Sequence, residues 1–291
     1  MKLPDRKIRY LIYIALIGFY FYYTWWSPDI VLESEHFIAR STAAKKSTQI
    51  ALQKVELLYK IFKKEFQANN FAFNPDVTKF KLVIYKTRAE YKRVNPFIGW
   101  AEAFYNSFFS CCYQYIDEKQ NNPYFWMQHE VTHQLVNELL LRKYPKWLNE
   151  GIACYFSTGL VKDDEIILGT IDRWTYPIWW LPTLNLSGQI ARDVENKRIV
   201  RLNDLIRDTE PLPMDAYFNR YYMLWWGTIH FLIHFDNGKY RKSFFDFLKI
   251  GGKFKDFAKQ FGPVDLVEKE WYSYLYKISE RFKKKATSAS K

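Results

Sequence analysis

Apolar and polar positions recur along this chain with different periods, and each period predicts an element. Residues 8–26 are almost uniformly apolar, with Arg9 as the one charge, a run long enough for a helix to span a bilayer core. Over residues 43–67, Ile50, Val55, Leu57, Leu58, Ile61 and Phe62 fall at helical spacing and predict a long helix. Asn69-Asn70 and Asn74-Pro75 then punctuate a loop. Residues 80–85 have the pattern of a buried strand, Thr87 suits the cap of a short helix to Val94, and the aromatic stretch 103–116 predicts β-structure with an edge strand. Asn122 and Pro123 suit the cap and first turn of a helix that continues through Leu135, Val136, Leu139 and Leu140 and ends at Tyr144-Pro145. Pro145 opens a second helix through Trp147-Leu148-Asn149-Glu150-Gly151-Ile152-Ala153, and a strand is expected at 165–168. Pro177, Pro182 and Gly188 interrupt residues 172–199, and Trp174, Trp179, Trp180 and Leu181 make that stretch apolar, as a cleft wall or lid would be. Helices are expected from Arg201, over 214–235, and in two or three more segments to Phe282, with 283–291 as a disordered tail.

Composition adds a compartment and excludes one partner. The 291 residues are 48% hydrophobic, ordinary for a globular chain, and 20% aromatic, which is high. Lys2, Arg6, Lys7 and Arg9 precede the first apolar run, while Asp29, Glu33 and Glu35 follow it. The positive-inside rule then places residues 1–7 in the cytoplasm and everything after Ser27 outside. Thr24-Trp25-Trp26-Ser27 makes a poor cleavage site, so the run is expected to stay as a single-pass anchor. The net charge of +12 is dispersed and no nucleic-acid module is present, so no nucleic-acid partner is expected. A basic surface outside the membrane suits anionic lipid head groups or an acidic wall polymer, and also plain solvation. Cys111, Cys112 and Cys154 form no disulfide framework, although a Cys111–Cys154 or Cys112–Cys154 bridge is conceivable. The expected fold class is α+β: a transmembrane helix at 8–26, a small mixed α/β lobe with an edge strand at 27–121, and a mainly helical catalytic lobe at 122–282.

The chemistry concentrates in His129-Glu130-Val131-Thr132-His133 and, further on, Asn149-Glu150-Gly151. Residues four apart on a helix share a face, so two imidazoles at this spacing can bind one zinc ion at about 2.0–2.1 Å each. Glu130, rotated by about 100° from His129, can lean over the same site and hydrogen-bond an activated water without being a ligand. A catalytic zinc needs three protein ligands and one open position. Glu150, on the next helix, is the candidate for the third. His230 and His234 are also four apart, but Phe231, Leu232 and Ile233 lie between them and no carboxylate does, so a packing or supporting role is expected. His36 has no partner evident from the sequence.

With Trp147-Leu148-Asn149-Glu150-Gly151-Ile152-Ala153, the histidine pentapeptide resembles the gluzincin metallopeptidases, the clan of thermolysin and the alanyl aminopeptidases. The likeness is closer to small bacterial peptidase-MA-like proteins, which carry an aromatic helix downstream similar to Tyr222-Met223-Leu224-Trp225-Trp226-Gly227-Thr228-Ile229-His230-Phe231-Leu232. The resemblance runs loosely from His36 to Gly252, and only these three segments are specific. It implies a thermolysin-like core, one Zn2+ on His129, His133 and Glu150, Glu130 as general base, and Tyr222 as donor to the transition-state oxyanion, with Tyr221 as the alternative register. The aminopeptidases use a Gly-x-Met-Glu-Asn strand to hold the substrate amino terminus. Here Gly99-Trp100-Ala101-Glu102-Ala103 lacks the methionine and asparagine, so Glu102 is a candidate substrate contact or a solvated strand residue.

The expected function is hydrolysis of a peptide or protein substrate by a membrane-anchored zinc peptidase. The alternatives are an anchored zinc-fold binding or scaffold protein without hydrolysis, and a cell-wall hydrolase using the same metal chemistry. Exo- versus endo-cleavage and oligomeric state stay open.

Overall fold

The computed structural model describes residues 5–22, 28–98, 101–116, 124–172 and 174–288. They form two compact units, one of Met1–Glu56 and Pro75–Gln134, the other of Leu57–Asn74 and Leu135–Lys291. The unit boundary after Gln134 leaves the histidine pentapeptide with the sheet and Glu150 with the helices.

The first unit is a five-stranded mixed sheet with helices. Its strands are β1 (Ile30–Glu33), β2 (Phe37–Ser41), β3 (Phe80–Tyr85), β4 (Ala103–Asn106) and β5 (Cys111–Tyr115), in the order β1-β2-β3-β5-β4. The inner strands β2, β3 and β5 are parallel, and β1 and β4 close the two edges antiparallel. Strand β5 is buried along its whole length and β3 at all positions but one. Continuous apolar strands of this kind are what a sheet covered on both faces requires. On one face Val83, Tyr85, Phe104, Cys111 and Tyr113 pack with Tyr91 of α3 (Arg88–Val94), which Thr87 caps by accepting the Glu90 N–H at 3.1 Å. The long helix α2 (Lys45–Ala68) carries the division between the units within it. Near its middle Glu56 supplies His36 with the partner that the sequence did not reveal, at 2.8 Å from Nδ1.

The expected membrane anchor does not survive. Among the described residues, no helix is long and apolar enough to cross a membrane. Helix α1 (Arg6–Phe21) has 16 residues, about 24 Å at about 1.5 Å per residue, against a hydrocarbon core of about 30 Å. The far part of the expected span, including Trp25 and Trp26, lies outside the described residues. The end of α1 belongs instead to the sheet unit. Tyr20 Oη donates to Asn95 Oδ1 at 2.6 Å, and the Phe21 ring stacks on Phe109 at 4.7 Å between centroids. A fold class with a transmembrane helix and a single-pass localisation with a cytoplasmic N-terminus are therefore both withdrawn: the apolar composition of residues 8–26 gave the signal, but no helix among the described residues is long and apolar enough to carry it.

The second unit is helical apart from a small hairpin of β6 (Leu160–Lys162) and β7 (Glu165–Ile167). Its core is built between α5 (Lys146–Ser157) and α8 (Met214–His234), flanked by α7 (Leu202–Arg207), α9 (Arg241–Lys249), α10 (Phe254–Phe261) and α11 (Val264–Ser288). Helix α11 runs to Ser288, so the stretch expected to be a disordered tail begins inside a helix. In residues 172–199 only short turns and α6 (Ile190–Glu195) form. They are tied down by the buried Asp193, which accepts from Ser187 N–H at 2.8 Å, Arg198 Nη1 at 3.1 Å and Tyr272 Oη at 2.5 Å.

Candidate metal centre

Helix α4 (Phe125–Gln134) carries the pentapeptide, and its expected cap, Asn122-Pro123, lies outside the described residues. Met127, Val131 and Thr132 are buried as α4 packs on β4 and β5. Gln134 fixes its end, donating from Nε2 to Ser110 O at 3.1 Å and accepting from Cys112 Sγ at 3.3 Å. All three cysteines are buried thiols, and no disulfide is formed. After Gln134 the helix widens into a π-turn over Leu135–Leu139, and Leu141, at φ 51°, ends it before Tyr144. Insertions of this kind are common next to functional sites.

On this helix the imidazoles of His129 and His133 stand almost perpendicular, at 86°, and their Nε2 atoms are 3.2 Å apart. Two nitrogens bound to one tetrahedral zinc, each at about 2.0–2.1 Å, lie about 3.3 Å apart, so the pair has the separation that a shared ion demands. The same distance suits an N–H···N hydrogen bond. A Glu130 carboxylate oxygen lies with the two ring nitrogens, all three atoms within 4.8 Å of one another, a group that could hold a metal ion. Imidazole and carboxylate are donor types that several divalent metals accept. His129 is buried and packed edge-on against Trp126, while Glu130 and His133 are half-buried.

Glu130 does not hang free over the pair. Its Oε2 accepts the backbone N–H of Tyr105, on the edge strand β4, at 2.8 Å. A main-chain donor leaves no mark in a sequence, so no residue pattern predicts this contact. Glu102, immediately before β4, faces other partners. It accepts from Arg88 Nε at 2.7 Å and from Lys92 Nζ at 3.4 Å, and it bonds Tyr115 Oη. Burial works to raise its pKa, but these hydrogen bonds and charges prevail and hold the carboxyl at about 2. Its charge is already neutralised inside the unit, which speaks against a contact to a substrate amine.

The other nominated residues belong to the helical unit. Glu150 is half-buried on α5, whose first turn is capped from a distance: Asp208 accepts the N–H groups of Lys146 and Trp147, each at 2.9 Å. Asp208 sits in the left-handed region at the end of α7, a placement that no local pattern signals. The neighbour of Glu150, Gly151, lets α5 and α8 approach closely. A Cβ there would meet Ile229 Cγ1 at 2.6 Å and Trp225 O at 2.9 Å. Tyr222 is half-buried on α8, its ring stacked on Phe218 at 4.3 Å and near Trp225 and Tyr176 at 5.2 and 6.0 Å. Tyr176 in turn feels Cys154 and Glu150: burial first, then those two groups, push its hydroxyl pKa up. Tyr221 is committed elsewhere, its hydroxyl bonding both the N–H and the carbonyl of Leu212 at 3.1 and 3.0 Å.

His230 and His234 bring their rings to 4.6 Å but point their nitrogens at different partners. His230 Nε2 donates to Gly169 O at 3.0 Å, so its Nδ1 accepts from Tyr274 Oη at 2.6 Å. His234 Nε2 pairs with Tyr155 Oη at 2.8 Å. Burial above all, helped by His234 for the one and Arg241 for the other, lowers both pKa values to about 4.

The chain matches no family model and no curated protein.

Proposed function

We propose that this chain is a zinc-dependent peptidase in which His129, His133 and Glu150 hold one ion and Glu130 is the general base. The observation that carries the reading is the 3.2 Å approach of the two Nε2 atoms with a Glu130 oxygen in the same cluster. Glu150 enters through the sequence pattern alone, as the carboxylate that a three-ligand site requires. When bound, zinc supplies Lewis acidity that polarises a scissile carbonyl and makes water a better nucleophile.

Glu130 takes a proton from the attacking water and returns it to the leaving amine. Tyr222 donates its O–H to the oxygen on which negative charge develops. The half-buried position of Tyr222 among Phe218, Trp225 and Tyr176 limits its freedom and keeps its ring in one place. Glu102 is held by Arg88 and Lys92, and the substrate class proposed is a peptide.

The test is cleavage of a mixed peptide library by wild type and by Glu130→Gln, with metal content measured on both. Loss of at least about a hundredfold in rate with unchanged metal is expected, the usual weight of a general base. Full activity in Glu130→Gln would refute its role, and activity that persists after thorough chelation would refute the metal.

A further inference from the structure

We propose that the backbone N–H of Tyr105 is the group that aims the Glu130 carboxylate, and that β4 serves as a rigid bracket for it; the catalytic consequence rests on the peptidase reading above. Strand β4 lies at the sheet edge and pairs antiparallel with β5, Tyr105 opposite Cys112. In such a pair, successive residues turn their N–H and C=O alternately toward and away from the neighbouring strand. Tyr105 gives its N–H to Glu130 Oε2 at 2.8 Å, so it is a residue that faces away, while Phe104 and Asn106 face β5. The open edge of a sheet normally presents such donors to solvent or to another strand. Here one of them is taken by a carboxylate.

The bracket is itself pinned on both sides. Before β4, Glu102 is tied to Arg88, Lys92 and Tyr115. Within it, the Phe104 ring stacks on Tyr113 at 4.8 Å and 8°. At its end, Asn106 Oδ1 accepts the N–H groups of Phe108 and Phe109 at 3.0 and 3.2 Å. A glutamate on a helix has three side-chain torsions, and one charge-assisted bond to an immobile main-chain donor removes much of that freedom. This assigns the Arg88–Glu102–Lys92 cluster a task as well: it holds the strand that holds the base.

Hydrogen exchange of single amides, followed by NMR on the intact protein, tests the clamp without reference to activity. The Tyr105 amide is expected to be protected relative to Ala103, whose N–H faces the same open edge. Glu130→Ala should speed exchange at Tyr105 by at least about tenfold, the worth of a hydrogen bond to a charged group, and leave Phe104 and Asn106 unchanged. In turnover, replacing the Tyr105 amide by an ester, with the side chain kept, should lower kcat by about ten- to a hundredfold with KM and metal content unaltered. A Tyr105 amide that exchanges as fast as Ala103 in the wild type overturns the inference, and so does an ester variant with full kcat. An inactive wild type would count against the peptidase reading alone, since exchange decides the clamp by itself.

Discussion

Two pairs of histidines in this molecule share one spacing and have opposite chemistry. His129 and His133 on α4 turn their Nε2 atoms toward each other at 3.2 Å beside a carboxylate. His230 and His234 on α8 spend ring nitrogens on Tyr274, Gly169 and Tyr155. The first pair brings two ring nitrogens and a carboxylate oxygen into one small cluster. In the second the hydrogen-bond pattern fixes His230 as a neutral ring with its proton on Nε2, and no carboxylate accompanies the pair in a metal-binding cluster among the described residues. Spacing of four residues therefore supplies only proximity. The neighbours decide whether proximity becomes a site or a packed polar core.

The largest expected effect separates the pairs by metal content. His129→Ala or His133→Ala should abolish zinc binding as read by elemental analysis, whereas His234→Ala should leave it as in the wild type; equal losses from both pairs would erase the distinction drawn above. Next is stability. His230→Ala strands the Tyr274 hydroxyl and the Gly169 carbonyl in a buried setting, and should cost about 1–3 kcal/mol in urea unfolding. Should it cost nothing, the α8 pair would not be the structural one.

A third effect is the pH dependence of folding. Burial holds the folded pKa values of His230 and His234 at about 4, below the ordinary imidazole value of about 6.5. Between these values the unfolded chain binds protons that the folded chain does not. The stability gained by keeping the rings neutral is present above about pH 6.5 and is lost as pH falls toward 4. The urea midpoint should therefore drop between pH 7 and pH 5, and His230→Phe should flatten the drop, with His234 contributing less because it is more exposed to solvent. An identical slope in wild type and variant would remove His230 from this account. The smallest effect is Tyr274→Phe, which deletes one donor to His230 and should cost about 1 kcal/mol while metal content stays unchanged.

What the sequence disclosed follows the same line between local and remote causes. Helical spacing is local, so the approach of His129 to His133 was legible in five residues, and so was the long helix α2 in its apolar repeat. Composition alone misleads at residues 8–26: the apolar run predicts a membrane span, but the described helix α1 has 16 residues and its last turn contacts Asn95 and Phe109, far along the chain. The cap of α5 comes from Asp208, 61 residues past the amide it holds. The clamp on Glu130 is a main-chain group, to which every residue type contributes alike. Glu102 was legible as a strand carboxylate but not as one neutralised by Arg88 and Lys92, because that pairing depends on how α3 meets the strand.

The account stands or falls most directly on zinc stoichiometry in the purified, intact chain, measured beside His133→Ala. One ion per chain in the wild type and none in the variant is the predicted result. A wild type that takes up no zinc when it is supplied, or a variant that retains the full complement, would contradict it.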